Sequence, residues 1–226
     1  MTPSEVLALL EDADVILGSD EAGLGAYAGP LVVSAVLAPK NWTAPASLTD
    51  SKDMTPDERK TAARALLADK RIWWKTLWTH SPQIDTENVY YANVRMHTEI
   101  VAEGLAKAAE LYPDKRVKAV VDGNLKIPNA LSLPKADFRV RVCSAASVLA
   151  KVARDTWMQE KMAKEYPGYG FENHKGYGGN PEHTAALEKL GPCAIHRKSF
   201  EPIARLLKKN EPNVMDLIAE LEKDPV

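Results

Sequence analysis

Two apolar runs joined only by a glycine-rich stretch constrain this chain more than any other feature. Asp14–Asp20 is apolar at Val15-Ile16-Leu17 and ends in acid, Leu31–Ala38 is rich in valine, and Gly23 to Pro30 lies between them. Runs so closely spaced are expected as antiparallel neighbours in one sheet. A dinucleotide-binding loop is the rival reading of Gly23-Leu24-Gly25, but that motif must lead into a helix. Here Pro30 is followed by Leu31-Val32-Val33-Ser34-Ala35-Val36, a β-branched run. The glycines instead allow backbone N–H groups to come close to a ligand.

The remaining segments fall into a simple order. A short helix is expected over residues 2–12, capped by Thr2 or Ser4. A second starts at Thr55-Pro56-Asp57-Glu58 and runs to about Lys70, with Pro56 near its first turn. Arg71–Thr79, with Trp73, Trp74 and Trp78, reads as a third strand, and residues 86–111 read as one long helix. Val117–Val121 is a buried strand ending at Asp122-Gly123. Phe138–Val142 reads as another strand, opened by Asp137, before a helix from about Ser144 to Lys164. A loop rich in Gly and Tyr fills 166–180, and helices near 181–190, 199–209 and 213–223 finish the chain. Three early strands followed by strands alternating with helices predict an α/β fold, a mixed sheet flanked by helices. In the tail, Val214, Leu217, Ile218 and Leu221 recur at helical spacing, which core packing explains.

Composition narrows the class. At 226 residues, 45% hydrophobic and 27% charged, the chain suits one domain, or a core domain with a small appendage, and not a disordered or fibrous protein. Cys143 and Cys193 alone cannot build a disulfide framework or a cysteine-rich zinc site, which favours a reducing cytoplasm. The acidic start (Glu5, Glu11, Asp12, Asp14) is unlike a signal peptide. The uncharged run Ala22 to Pro39 is broken by Gly23, Gly25, Gly29 and Pro30, so no membrane span is expected. Charge is uneven: residues 126–209 carry net +7, against −5 before them and −4 after them. Such a block fits a solvated Lys/Arg face, or a surface that holds phosphates beside an acidic site.

Four acids stand out by position. Asp20 and Glu21 follow Val15-Ile16-Leu17 and precede Gly23; Asp122 ends the Val117–Val121 run; Asp137 opens the run containing Val140 and Val142. Ends of neighbouring strands lie about 5 Å apart, so such acids can converge. Clustered carboxylates repel unless a cation neutralises them, and hard divalent ions take oxygen ligands. Phosphoryl transfer or hydrolysis is the chemistry that needs this arrangement. The alternative for each acid is a turn or capping role.

Further blocks carry a resemblance. Gly18-Ser19-Asp20-Glu21-Ala22-Gly23-Leu24-Gly25 with Gly29-Pro30, then Asp50-Ser51-Lys52, Val121-Asp122-Gly123 and Ala145-Ala146-Ser147 through Lys151 to Asp155 occur in order. Tyr166–Phe171, His174-Lys175-Gly176-Tyr177-Gly178 and His196-Arg197-Lys198-Ser199-Phe200 follow. Together these blocks resemble type 2 ribonucleases H, chiefly ribonuclease HII, across about residues 14–207. Ser19 and Tyr27 give the first motif some ribonuclease HIII character. The resemblance implies a ribonuclease H-like core over 1–180, with a mixed five-stranded sheet, and a helical C-terminal extension over 181–226. It implies an endonuclease that cuts the RNA strand of RNA·DNA hybrids, leaving 5′-phosphate and 3′-hydroxyl ends, and that removes primers and misincorporated ribonucleotides. Asp20, Glu21, Asp122 and Asp137 fall on the family's metal-binding acids, for Mg²⁺ or Mn²⁺.

The resemblance also assigns substrate contacts. Lys52, Lys151, Lys175 and Arg197 are candidate phosphate contacts, joined by Ser51 and Ser147 from the same blocks. Tyr177 matches a tyrosine that packs on the sugar beside the cut, and the Gly23–Leu24–Gly25 backbone is where the 2′-hydroxyl is read. His174, His183 and His196 are expected to be structural or near phosphate rather than catalytic. Leu24 stands where ribonuclease HII usually has arginine, so longer RNA tracts are the expected substrate ahead of a single embedded ribonucleotide. The tail lacks the glutamine and paired aromatics of a sliding-clamp peptide, and a monomer is expected. An inactive hybrid-binding module and a DNA-junction nuclease of the same fold are the competing readings.

Overall fold

The computed structural model describes residues 5, 8–48 and 54–209. Ser51, Lys52, most of the expected helix over 2–12, and the tail helix with its Val214–Leu221 stripe lie outside the described residues.

Five strands form one sheet in the order β3-β2-β1-β4-β5. They are β1 (Val15–Ala22), β2 (Leu31–Pro39), β3 (Trp73–Thr79), β4 (Val117–Asp122) and β5 (Ala130–Leu133). The expected β1–β2 hairpin is present: the pair is antiparallel, with Val15 opposite Pro39 and Ala22 opposite Val32. β3 adds antiparallel to β2, while β4 and then β5 add parallel on the other side of β1. The sheet is therefore mixed, and β1 sits at its centre.

Helices cover both faces. They are α1 (Pro56–Ala68), α2 (Ser81–Glu87), α3 (Val89–Leu111), α4 (Arg141–Thr156), α5 (Phe171–His174), α6 (Pro181–Leu190) and α7 (Glu201–Lys209). A π-helical turn, Trp157–Met162, continues α4 towards Glu165. α1 starts on a capping box in which Thr55 and Glu58 satisfy each other's backbone N–H, with Pro56 in the first turn. Among the described residues no helix is long and apolar enough to cross a membrane.

Strand alternation divides the core. Leu17, Val33, Ala35 and Leu37 face α3 and pack on Met96, Ile100 and Val101. Ile16, Val36 and Ala38 face α4 and α1, meeting Cys143, Ala146, Val148 and Leu66. The α4 face is close-packed because β1 carries Gly18 there. A Cβ at that position would lie 2.6 Å from the Cys143 nitrogen and the Val142 carbonyl carbon.

Two expectations about elements are corrected. The helix expected over 86–111 is two helices, because Asn88 takes φ 73° and its side chain accepts the Tyr90 N–H to begin α3. Asparagine tolerates that left-handed backbone far better than a β-branched residue. The strand expected over Phe138–Val142 is absent. Asp137 lies in a 3₁₀ turn, Ala136–Phe138, and Val142 is already in α4. The edge position belongs to Ala130–Leu133, a short run bounded by Pro128 and Pro134. Val140 and Val142 satisfy a two-residue period over too short a span to tell a strand from the buried first turn of a helix.

The Gly18 contact yields a stability prediction. Gly18→Ala is expected to destabilise the fold by about 3 kcal/mol, the cost of overpacking against backbone that cannot move aside. A urea midpoint indistinguishable from that of the wild-type protein would refute it.

Candidate active site

The acids arrive from three directions at the C-terminal ends of β1 and β4. Asp20 and Glu21 are adjacent on β1, so their side chains leave opposite faces of the sheet. Asp20 turns towards α4, is 5% exposed and is hydrogen-bonded by Ser147. Glu21 turns towards α3, where its Oε2 lies 3.1 Å from Nε2 of His97. That imidazole is fully buried, and its other nitrogen meets the Ser19 hydroxyl.

Asp122 ends β4, and its carboxylate accepts the backbone N–H of Ala136. This bond ties β4 to the turn that carries Asp137. Ser144, in the first turn of α4, donates its hydroxyl to the Asp137 carbonyl and holds the turn from the other side. As a result, Asp20, Asp122 and Asp137 each bring one oxygen within 4.8 Å of the others. Glu21 lines the same cleft but stands outside that closest group.

The cleft has a volume of about 490 Å³ and an acidic floor. Burial, then the Glu21 charge, then that of Asp122 raise the Asp20 carboxyl well above its usual range, while the Ser147 hydroxyl opposes them. Burial, followed by Asp137, likewise raises Asp122. The donor set is all carboxylate oxygen, which suits hard divalent cations such as Mg²⁺ or Mn²⁺. A cation would remove the repulsion that the fold builds in.

Leu24, Arg59, Lys151 and Tyr177 also border this cleft. Lys151, one helical turn after Ser147, donates to the Tyr177 hydroxyl at 3.1 Å and pairs with Asp155 at 3.0 Å. The Arg154 guanidinium and the Lys151 ammonium each lie 4.5 Å from the centre of the Tyr177 ring. A second, adjoining cleft is bordered by Arg59, Lys60, Lys151 and Lys175, so the acids open onto a basic surface. Lys175 reaches that second cleft and not the first. Gly25 is exposed with open space around it, whereas Gly23 and Leu24 border the acids.

Arg197 is corrected. Expected at phosphate, it is fully buried and donates to the carbonyls of Gly23, Leu24 and Gly29 at 2.7–3.1 Å. Its guanidinium shapes the glycine loop and does not reach the cleft. Arg154, also fully buried, binds the Pro30 and Ala28 carbonyls at 2.9 Å. Gly23 has φ +93°, and a Cβ there would sit 2.2 Å from the Arg154 side chain, so glycine is required twice over.

Sequence reasoning does not reach His97 or Arg59. His97 is a polar residue on the apolar stripe of α3, and nothing local marks it as the partner of Glu21. Arg59 reads as one more charge on an amphipathic helix. His174, His183 and His196, expected to be structural or near phosphate, are all buried.

The comparisons with known proteins agree with this geometry. The sequence profile of the family described as Ribonuclease HII matches residues 17–203. Ribonuclease HII of Xylella fastidiosa strain M12 is 39% identical over 198 residues, which cover 85% of this chain and 80% of that protein. The structure of ribonuclease HII from Archaeoglobus fulgidus, solved as a complex with PCNA, superimposes with a TM-score of 0.66 at 21% identity, covering 89% of this chain and 99% of that one. Bst ribonuclease HIII, solved with Mn²⁺, gives a TM-score of 0.65 at 19% identity, over 93% of this chain and 74% of that one. The mixed five-stranded sheet and the acids at its strand ends thus define a ribonuclease H-like hydrolase. Within that class, the match along most of its length shows that the chain belongs to the ribonuclease HII family.

Two predictions follow from the electrostatics. Asp20→Asn removes a buried, repelled charge and is expected to raise the melting temperature of the metal-free protein by a few degrees, about 1 kcal/mol. Mn²⁺ should then stabilise the wild-type protein much more than the variant. Scanning calorimetry with and without the ion reads both, and equal shifts would dismiss the role of Asp20 in holding metal. Burial holds His183 and His196 near pKa 4, below the usual 6.5. The unfolded chain therefore gains protons below pH 6.5 while the folded one does not. Stability is full above that value, falls as the pH drops towards 4, and levels off below it, by up to about 3 kcal/mol per ring. The C2 proton shifts of both rings should stay flat down to about pH 5; titration near pH 6.5 would contradict their burial as neutral groups.

Proposed function

We propose that this protein is an endoribonuclease that hydrolyses the RNA strand of RNA·DNA hybrids, with Asp20, Glu21, Asp122 and Asp137 as its catalytic acids. The convergence of Asp20, Asp122 and Asp137 oxygens within 4.8 Å, on a chain of this family, carries the reading. These carboxylates, with Glu21 on the flank, would hold Mg²⁺ or Mn²⁺. Ions bound there supply an activated water and stabilise the leaving 3′-oxygen, so that the products end in 5′-phosphate and 3′-hydroxyl.

The other residues hold the duplex. Ser147 orients Asp20 from α4, and His97 orients Glu21 from α3. Lys151 and Arg59 present positive charge where the basic cleft meets the acids, and Lys175 extends that charge along the backbone path. Contacts of this kind position a duplex without reading its bases. Tyr177 borders the cleft, with Lys151 and Arg154 each 4.5 Å from its ring centre, and would pack on the sugar beside the cut. The glycine loop brings the Gly23 and Leu24 backbone against the same sugar, where the 2′-hydroxyl separates RNA from DNA. Leu24 is exposed at this rim and cannot contact a phosphate. Continuous RNA tracts are therefore the preferred substrate, ahead of a single ribonucleotide in DNA. The free thiols of Cys143 and Cys193 suit a reducing cytoplasm.

An incision assay tests this directly, with one substrate carrying a continuous RNA tract and one carrying a lone ribonucleotide, each with Mg²⁺ or Mn²⁺. Cleavage of the tract is expected, lowered by at least about a thousandfold in Asp20→Asn and Asp122→Asn with the fold intact. Leu24→Arg is expected to shift the ratio towards the lone ribonucleotide. Wild-type turnover in either acid variant would remove that residue from the site, and efficient cutting of an all-DNA duplex would favour a junction nuclease.

A further inference from the structure

Next to the segment that carries Tyr177, and outside the lining of the acidic cleft, three imidazoles are packed in the interior. His174 and His183 stack with ring centres 4.4 Å apart, and His183 and His196 meet edge to edge with Nε2 to Nε2 at 3.0 Å. Phe171 closes the cluster, its ring centre 5.6–5.8 Å from each of the three. The proposed chemistry uses none of these rings, yet all three are tied to the loop that carries Tyr177.

Their hydrogen bonds leave no freedom in where the protons sit. The Tyr177 carbonyl can only accept, so Nδ1 of His183, 3.1 Å away, donates to it. A neutral imidazole that donates at Nδ1 must accept at Nε2, so the 3.0 Å bond runs from Nε2–H of His196 to His183. Nδ1 of His196 must then accept, and it does, from the Cys193 backbone N–H at 2.9 Å. The chain thus runs one way only: Cys193 N–H to His196, His196 to His183, and His183 to the Tyr177 carbonyl. His174 braces the preceding residue. Its Nδ1 accepts the Gly176 N–H at 3.1 Å, so its Nε2–H donates to the Tyr169 carbonyl at 2.6 Å. A proton added to His183 would set its Nε2–H against that of His196 across 3.0 Å, and one added to His196 would set its Nδ1–H against the Cys193 N–H across 2.9 Å.

We infer that His183 and His196 are positioning residues of the active site: a one-directional chain of neutral imidazoles fixes the backbone at Tyr177 and so sets that ring at the wall of the acidic cleft. The inference rests on the ribonuclease reading for what the ring touches, but not for the chain itself. The same segment is stitched to the glycine loop, because Tyr27 and Ala28 both donate their N–H to the Gly176 carbonyl. Without the histidine chain, a duplex gripped by its phosphates would still bind, but the sugar beside the cut would be misplaced, which is a loss in kcat more than in KM.

Two measurements on the full-length protein test this. Long-range ¹⁵N–¹H spectra of the metal-free wild-type protein should show His183 protonated at Nδ1, and His196 and His174 protonated at Nε2. His183 protonated at Nε2 would overturn the chain whatever the activity. In cleavage of a continuous RNA·DNA hybrid, His183→Leu should lose at least about tenfold in kcat with KM nearly unchanged. His183→Gln can accept from His196 and donate to Tyr177, and should recover most of that loss. Paired with Tyr177→Ala, His183→Leu should cost nothing more, since it acts through the tyrosine. Effects that multiply, or a glutamine variant as poor as the leucine one at equal melting temperature, would overturn the proposal. A wild-type protein inert on hybrids but with the expected tautomers would sink the ribonuclease reading and uphold the chain. An active one with His183 protonated at Nε2 would do the reverse.

Discussion

The contact between β1 and α4 at Gly18 governs the rest of the molecule. β1 is the central strand, hydrogen-bonded antiparallel to β2 and parallel to β4, and α4 lies directly on it because no side chain intervenes. Two residues past that contact, Asp20 leaves β1 on the α4 side, and Ser147 on α4 meets it. The parallel register places Ser19 beside Val121, so the strand ends that carry Asp20 and Asp122 finish together. Backbone geometry thus aims the carboxylates before any electrostatic term acts, and it holds them close although they repel.

That repulsion shows how the site is tuned. A fold selected only for stability would not bury Asp20 beside Glu21 and Asp122, since burial and like charge both disfavour ionisation. The compensation is local: the Ser147 hydroxyl at Asp20, the Ala136 N–H at Asp122 and His97 at Glu21. None of these is a full counter-charge. The arrangement fits a site completed by a divalent cation, which would neutralise the repulsion.

The opposite wall is built on buried cations. Arg154 and Arg197 spend their guanidinium groups on carbonyls of the segment from Gly23 to Pro30. Burial, and then the neighbouring Arg154 charge, lower the pKa of Arg197 to about 9. Charged donors on backbone carbonyls are stronger than neutral ones, and a planar fork can hold several carbonyls at fixed angles. The glycine loop therefore keeps one shape without regular secondary structure. The imidazoles next to the Tyr177 segment do the same for that loop with neutral groups, so both loops at the cleft are held from within.

Much of this was legible in the chain itself. The short glycine link between two β-branched runs determined the β1–β2 hairpin, and apolar runs ending in acid marked Asp20, Glu21 and Asp122 as strand-end carboxylates. Those readings hold because alternation and turn chemistry are local properties, settled within a few residues. The ordered motif blocks pointed further, to the family, whereas Asp137 was marked as the opening of a strand and lies instead in a 3₁₀ turn. Local pattern failed where two elements share a signal. Val140 and Val142 suit a strand and a buried helix start equally well, and only the space left beside β4 gave the edge to Ala130–Leu133. The roles of Arg197, His97 and the histidine chain belong wholly to tertiary structure. A guanidinium becomes a loop clamp, and an imidazole acquires one tautomer, only when the fold supplies the carbonyls and N–H groups around it, and these come from residues as far as 174 positions away in the chain.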